Sequence, residues 1–442
     1  MQTILIAGAG KSSIYLVEYI LKHARSNKWR VIVADGDADA IADKIRGHAC
    51  GEAAVIDITS AAEREPLVKR ADIVVSLMPP HLHIHLAKDC LKHKKNLITS
   101  SYISDEMKEM DKAVREAGLM FMCEMGLDPG IDHMSANKMI HGIHRVAGLI
   151  TSFKSYCGGL IAPESDNNPW HYKFTWNPKN VITAGYGGAK YLSKDKHVEV
   201  AYEQMFEHNK KADIAGIGPL AYYPNRDSLR YLDLYEVPDI KTFMRATLRY
   251  PDFCKGWQAL ILLGLTNQDD AFETAGHTYA SWVKKKSGCK NETPLTKHVA
   301  NLLHIEHDDK VIAMLQWLGL FEETALKPGR FSSADVLLGL LLDKWQMAPD
   351  DKDMVVMQHE IEYMHKDRRI KLTSAMVIKG ENREFSAMAK TVGLPMGMLA
   401  RMVLTKKIVP PKGVLLPNMP VVYRPLLAEL AHHGIEFKEE VL

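Results

Sequence analysis

Thr3-Ile4-Leu5-Ile6-Ala7-Gly8-Ala9-Gly10-Lys11-Ser12-Ser13 is the stretch whose reading decides the fold. An aliphatic, largely β-branched run ends in two glycines one residue apart and leads directly into the amphipathic segment 13–24, so a strand, a tight turn and a helix follow one another. That context is what a dinucleotide-binding turn requires. Gly8 permits the sharp turn, and Gly10 lets the backbone approach a pyrophosphate, which is then held by the N–H groups and positive dipole end of the helix. Ser13 stands where a third glycine or alanine is usual and is small enough for close helix–sheet packing. The competing account is a strand-to-helix turn that holds no ligand.

Working outward, residues 1–126 alternate short apolar runs with amphipathic segments, the pattern of parallel βαβ units. The pattern predicts six strands at 3–7, 30–34, 53–57, 73–77, 96–99 and 120–123. Helices are predicted at 13–24, 38–46, 61–68, 83–92 and 105–117. Right-handed crossovers place such helices on both faces of one sheet, giving a Rossmann-like, doubly wound α/β domain. Segments 127–255 and 350–405 have a mixed strand texture, with strands expected at 152–158 and 172–176, a hairpin at 354–364 and 369–379, and a helix over 385–405. They read as a second domain, a mixed sheet lined by a pocket. Residues 256–349 lose β-branched runs and gain helical spacing (Val311, Met314, Leu315, Leu318; Val336, Leu337, Leu340, Leu341), which predicts an all-helical insertion.

Of the 442 residues, 56 are Lys or Arg and 54 are Asp or Glu, so the formal charge is only +2 and offers no phosphate-neutralising surface. Nucleic acid is not an expected partner. No apolar run approaches the roughly 20 residues that span a bilayer, and no membrane association is expected. The six cysteines are too dispersed for a disulfide scaffold or a CxxC motif, which favours a reducing, cytoplasmic location. The chain begins on strand rather than on a presequence pattern.

Asp35 closes the second strand, where a carboxylate accepts hydrogen bonds from an adenosine ribose and repels a 2'-phosphate. NAD is therefore favoured over NADP, although Lys11 near the phosphates suits either, and Asp37 and Asp39 also fit a solvated turn. The carboxyl edge of the sheet supplies further candidate cofactor contacts: Ser12, Asp57, Ile58, Leu77, Met78, Ser100 and Leu127. His81 and His85 have the spacing of two zinc ligands on a helix, but no third ligand accompanies them. With His83 they read as polar residues of a helix's first turns, and no metal is expected.

Six motifs carry more polar and aromatic residues than packing needs: Ser100-Ser101-Tyr102-Ile103-Ser104; Gly126-Leu127-Asp128-Pro129-Gly130-Ile131-Asp132-His133; Ser155-Tyr156-Cys157-Gly158-Gly159-Leu160; Asn167-Asn168-Pro169 with Tyr172-Lys173-Phe174-Thr175-Trp176; Tyr223-Pro224-Asn225-Arg226-Asp227-Ser228; and Arg245-Ala246-Thr247-Leu248-Arg249-Tyr250. In order and wording they resemble the glutamate-forming saccharopine dehydrogenases, also called saccharopine reductases, from Ile4 to the C-terminus. The resemblance implies a homodimeric oxidoreductase of lysine metabolism that oxidises the secondary amine of saccharopine and hydrolyses the imine to L-glutamate and 2-aminoadipate 6-semialdehyde. It implies carboxylate binders at Arg226, Thr247 and Arg249, with Ser101, Tyr102, Asp128, Cys157, Lys173 and Phe174 lining the rest of the pocket. Asp128 and Cys157 are the candidate catalytic groups, Asp128 to balance the cationic imine or steer water and Cys157 to assist a proton transfer. The alternatives are a cap on the Pro129–Gly130 turn and a small filler in a Gly-rich bend. Asp132 and His133 form a further candidate pair, with a helix cap as the alternative for the acid. Where fungal members carry an Arg suited to NADP, this chain has Asp35-Gly36-Asp37, and the animal enzyme's Asp at that place is the closer precedent. The resemblance also implies that 127–255 and 350–405 form a substrate-binding and dimerisation domain and that 406–442 return to the nucleotide domain. Competing functions are a same-fold imine reductase of polyamine metabolism, of carboxynorspermidine or homospermidine type, and a non-catalytic NAD-binding regulator.

Overall fold

A computed structural model describes residues 1–207, 209–290 and 293–442. The chain forms two compact units, the first comprising Met1–Ile150, Leu234–Glu236 and Glu362–Leu442, the second Thr151–Asp233 and Val237–Ile361.

The first unit is built on six parallel strands in the first part of the chain: β1 (Gln2–Ala7), β2 (Trp29–Asp35), β3 (Gly51–Val55), β4 (Ile73–Ser76), β5 (Asn96–Thr99) and β6 (Met120–Met122). The order across the sheet is β3, β2, β1, β4, β5, β6, and the late strand Gly413–Leu415 adds a seventh place beside β6. The order reverses between β1 and β4, and a ligand crevice opens at such a point, outside the carboxyl ends of the strands. Ile4, Ile6, Val31 to Val33 and Ile73 to Val75 are fully buried, because helices cover both faces and every side chain of a central strand needs an apolar neighbour. β3 lies at the edge and begins two residues earlier than its pattern suggests; half-covered edge strands carry a weaker signal. Helix Ile14–Asn27 lies against helix Ala387–Leu404 at Gly393, where a Cβ would come within 2.9 Å of the Leu16 nitrogen. Strands Asp353–His365 and Arg368–Lys379 are joined by Lys366 and Asp367, both at left-handed φ, as a two-residue hairpin turn requires.

In the second unit, strands Lys210–Ile214, Gly218–Pro224, Thr242–Arg249 and Leu149–Ile161 are successive neighbours, the last pair parallel and the others antiparallel. Helices Pro251–Leu262, Tyr279–Ser287, Leu295–Leu302, Lys310–Leu318 and Ser333–Lys344 share one apolar core with Trp170, Tyr172 and Trp345. The strand expected at 172–176 does not form. Tyr172 and Phe174 instead plug into the Trp345 ring at centroid distances of 5.1 and 5.4 Å, and the Phe174 N–H donates to the Trp345 carbonyl at 2.8 Å. Alternating aromatics here mark a loop buried in a core rather than a pleat. Among the described residues, no helix is long and apolar enough to cross a membrane.

Candidate functional site

In the first unit the glycine turn has the conformation its residues dictate. Gly8 lies at φ +105° with its N–H on the Ala34 carbonyl at 2.8 Å, and a Cβ there would meet the Leu77 backbone at 3.1 Å. Gly10 has nothing within 4 Å of the place a Cβ would occupy, the open approach a diphosphate needs. Ser13 is buried and donates its hydroxyl to the Gly10 carbonyl at 2.8 Å, alongside its own N–H at 3.0 Å. The serine therefore ties the turn as well as fitting beneath the helix. Ser12 precedes it in the short 3-10 turn Lys11–Ser13. Desolvation, and then the Arg383 guanidinium, lower the pKa of Lys11.

The Asp35 carboxylate accepts the N–H of Ala9 at 2.7 Å and of Asp37 at 3.1 Å, clasping the glycine turn to the end of β2. Asp37 caps helix Ala38–Ile45, and Asp39 lies in its first turn. Beside them a cavity of about 490 Å³ is lined by Asp35, Gly36, Asp57, Ile58, Glu63 and Met78. Thr59 donates its hydroxyl and N–H to Asp57, holding that carboxyl below its usual pKa. Three carboxylates, with no Lys or Arg among the described lining residues, suit ribose hydroxyls and oppose a phosphate.

Beyond β4 the chain passes through Leu77, whose N–H donates to the Ala7 carbonyl at 2.8 Å, and Met78. His83 is buried at the start of helix His83–His93 and bridges the hydroxyls of Ser76 and Ser101, each at 2.8 Å. Burial, and then His81, push its pKa down to about 4, so the imidazole is neutral and donates to one hydroxyl while accepting from the other. Ser100 to Tyr102 follow β5, and Leu127 and Asp128 follow β6. The Tyr102 hydroxyl donates to Asp128 Oδ1 at 3.0 Å. The loop behind Asp128 is tightly closed: a Cβ on Gly130 would lie 2.1 Å from the Gly126 carbonyl oxygen, and Gly130 sits at φ +146°. The Gly130 N–H goes to Asp132 at 2.6 Å, so Asp132 satisfies the turn while Asp128 meets Tyr102.

The second unit aligns Tyr223, Thr247 and Cys157 as direct register partners across three neighbouring strands, with Arg249 two residues further on the face of Thr247. Arg249 is 4% exposed. Its guanidinium lies 5.3 Å over Tyr172 and 5.4 Å over Phe253 and donates one N–H to the Leu248 carbonyl, while its Nε has no partner. No carboxylate pairs with it among the described residues. Lys173 is committed to Asp351 at 2.6 Å, both buried, and orders the loop that carries Phe174. Arg226 stands on an exposed turn at φ +53°, its carbonyl accepting the Lys190 N–H at 2.9 Å, while Asp227 accepts the Leu229 N–H.

Reasoning from sequence missed the Ser76–His83–Ser101 bridge, Glu63 in the cavity wall, and Glu124. The available signals were a serine ending β4 and an acid two residues after β6, at the edge where such sheets bind ligands.

Two family models cover the chain: residues 4–122 match the saccharopine dehydrogenase NADP binding domain and 126–435 the saccharopine dehydrogenase C-terminal domain. Saccharopine dehydrogenase [NADP(+), L-glutamate-forming] of Schizosaccharomyces pombe is 32% identical, covering 100% of this chain and 99% of that protein. The mitochondrial alpha-aminoadipic semialdehyde synthase of Mus musculus is 31% identical over 99% of this chain, which corresponds to 47% of that longer protein. The apo saccharopine dehydrogenase (L-Glu forming) structure from Saccharomyces cerevisiae superposes with a TM-score of 0.89 and 31% identity over the whole of both chains. The chain belongs to the saccharopine dehydrogenase family.

Proposed function

We propose that this chain, as a member of the saccharopine dehydrogenase family, oxidises the bridging secondary amine of saccharopine and hydrolyses the imine to L-glutamate and 2-aminoadipate 6-semialdehyde, reversibly. The names of the full-length relatives support this reading. The observation that carries it is Arg249. A buried guanidinium without a carboxylate costs several kcal/mol in desolvation unless an anion meets it, and saccharopine carries three carboxylates.

The open glycine turn fits a dinucleotide diphosphate, and a bound nicotinamide supplies the hydride acceptor. In our reading, Asp128, oriented by Tyr102, balances the positive charge of the imine and takes a proton from the attacking water. Cys157 relays the proton that leaves with the amine of glutamate. Arg249, Thr247 and Arg226 bind carboxylates, Ser101 lines the rest of the pocket, and Phe174 forms an apolar wall. Lys173 acts through its pair with Asp351. The cofactor contacts are Gly8, Gly10, Lys11, Ser12, Ser13, Asp35, Asp57, Ile58, Leu77, Met78, Ser100 and Leu127. We assign NAD as the preferred cofactor because three carboxylates line the ribose cavity, whereas the fungal relatives are named for NADP(+). Residues 1–126 then form the cofactor domain, 127–255 and 350–405 the substrate and dimerisation domain of a homodimer, and 256–349 the helical insertion. Six free thiols suit the cytoplasm.

Mixing the protein with saccharopine and each cofactor, while following reduced nicotinamide and released glutamate, tests the proposal. Stoichiometric appearance of both is expected; the absence of reduction with either cofactor refutes it.

A further inference from the structure

Glu124, the second residue beyond β6, is fully buried at φ +53°, a conformation most side chains avoid. A buried carboxylate persists only where its oxygens are satisfied. Its Oε1 accepts the Ile103 N–H at 3.0 Å, and its Oε2 lies 2.8 Å from His133 Nε2. The other His133 nitrogen meets the Tyr235 hydroxyl at 2.7 Å. The Glu124 N–H donates to the Ser101 carbonyl at 3.2 Å. One residue thus grips the backbone on both sides of Tyr102, whose hydroxyl reaches Asp128 at 3.0 Å. All of these groups belong to the first unit.

We infer that Glu124, braced by His133 and Tyr235, is a positioning residue that sets the Tyr102 hydroxyl against Asp128. The inference rests on the proposed reaction only for its kinetic consequence. Fixing the two peptide groups that flank Tyr102 removes the backbone freedom that would swing the phenol away, and an ångström of misplacement costs up to about a hundredfold in rate. His133 fixes the rotamer of the carboxylate, and the Tyr235 hydroxyl fixes the ring of His133.

A double-mutant cycle tests this. Glu124→Ala should lower kcat on saccharopine by about tenfold to a hundredfold while the KM for the nicotinamide cofactor stays within about twofold. Glu124→Gln keeps the acceptor for Ile103 and should recover most of the rate. Because Glu124 acts through Asp128, Glu124→Ala combined with Asp128→Asn should be no slower than Asp128→Asn alone, within about twofold. Multiplying effects overturn the inference. Tyr235→Phe deletes one hydroxyl and serves where Glu124→Ala fails to fold; its smaller loss should likewise vanish in the Asp128→Asn background. A crystal structure of Glu124→Gln and of Tyr235→Phe reads the geometry independently of turnover. The Tyr102–Asp128 hydrogen bond should persist in the first and lengthen or break in the second, and an unchanged bond in Tyr235→Phe overturns the brace. Wild-type protein that fails to oxidise saccharopine refutes the assigned reaction but leaves this structural comparison decisive for Glu124.

Discussion

Replacing Arg249 with methionine separates a substrate-binding guanidinium from a structural one. The side chain is 4% exposed, sits over two aromatic rings and has no carboxylate partner among the described residues. Were it one half of a buried salt bridge, truncation would cost about 3–5 kcal/mol of stability by stranding the other half. Here no acid is stranded. The variant loses two cation–π contacts of about 1–2 kcal/mol each and one charge-assisted hydrogen bond of about 1.5–3 kcal/mol. It also sheds a desolvation penalty of several kcal/mol, so the net change in stability should stay within about 1 kcal/mol. Binding should respond quite differently: losing one partner of a desolvated guanidinium–carboxylate pair costs about 2–5 kcal/mol, or roughly thirtyfold to a few thousandfold in kcat/KM. Steady-state kinetics on saccharopine and urea unfolding of the apo protein read both quantities. An intact kcat/KM alongside a stability loss of about 3 kcal/mol or more refutes the reasoning.

Three further outcomes follow from the geometry. Asp35→Arg should raise the KM for NAD by at least about tenfold and improve use of NADP; a wild-type preference for NADP of about 1.4 kcal/mol or more contradicts the role given to Asp35. The pKa of His83 falls from 6.5 to about 4 on folding, so the folded protein binds fewer protons between these values and loses stability as pH falls through that window, by on the order of 3 kcal/mol in all. His83→Gln should flatten that slope in urea titrations at successive pH values, and identical slopes for both proteins rule the assignment out. Gly130→Ala places a Cβ 2.1 Å from a backbone oxygen at φ +146°, so it should destabilise by more than about 4 kcal/mol or abolish folding; a thermal midpoint within a few degrees of wild type argues against the closed loop.

The doubly wound sheet was legible because its signals are local. Glycines at 8 and 10 fix a turn, and short β-branched apolar runs such as Val31 to Val33, spaced by amphipathic segments, read as parallel strands covered on both faces. Asp35 was identifiable by its place at the end of β2, but its hold on the Ala9 N–H was not. The aromatic run 172–176 misled because alternation reports burial on two sides, which a loop inside a core satisfies as well as a strand. Tyr223, Thr247 and Cys157 became a row only through the pairing of strands distant in the chain, and that register also placed Arg249 on the same face. His133 stood out in the sequence only beside Asp132, and its partnership with Glu124 and Tyr235 arose only when folding buried the three together. Periodicity and turn chemistry depend on neighbours a few residues away and so belong to the sequence. Which buried polar groups satisfy one another depends on which distant segments meet, and a hydrogen bond of under 3 Å has no counterpart in spacing along the chain.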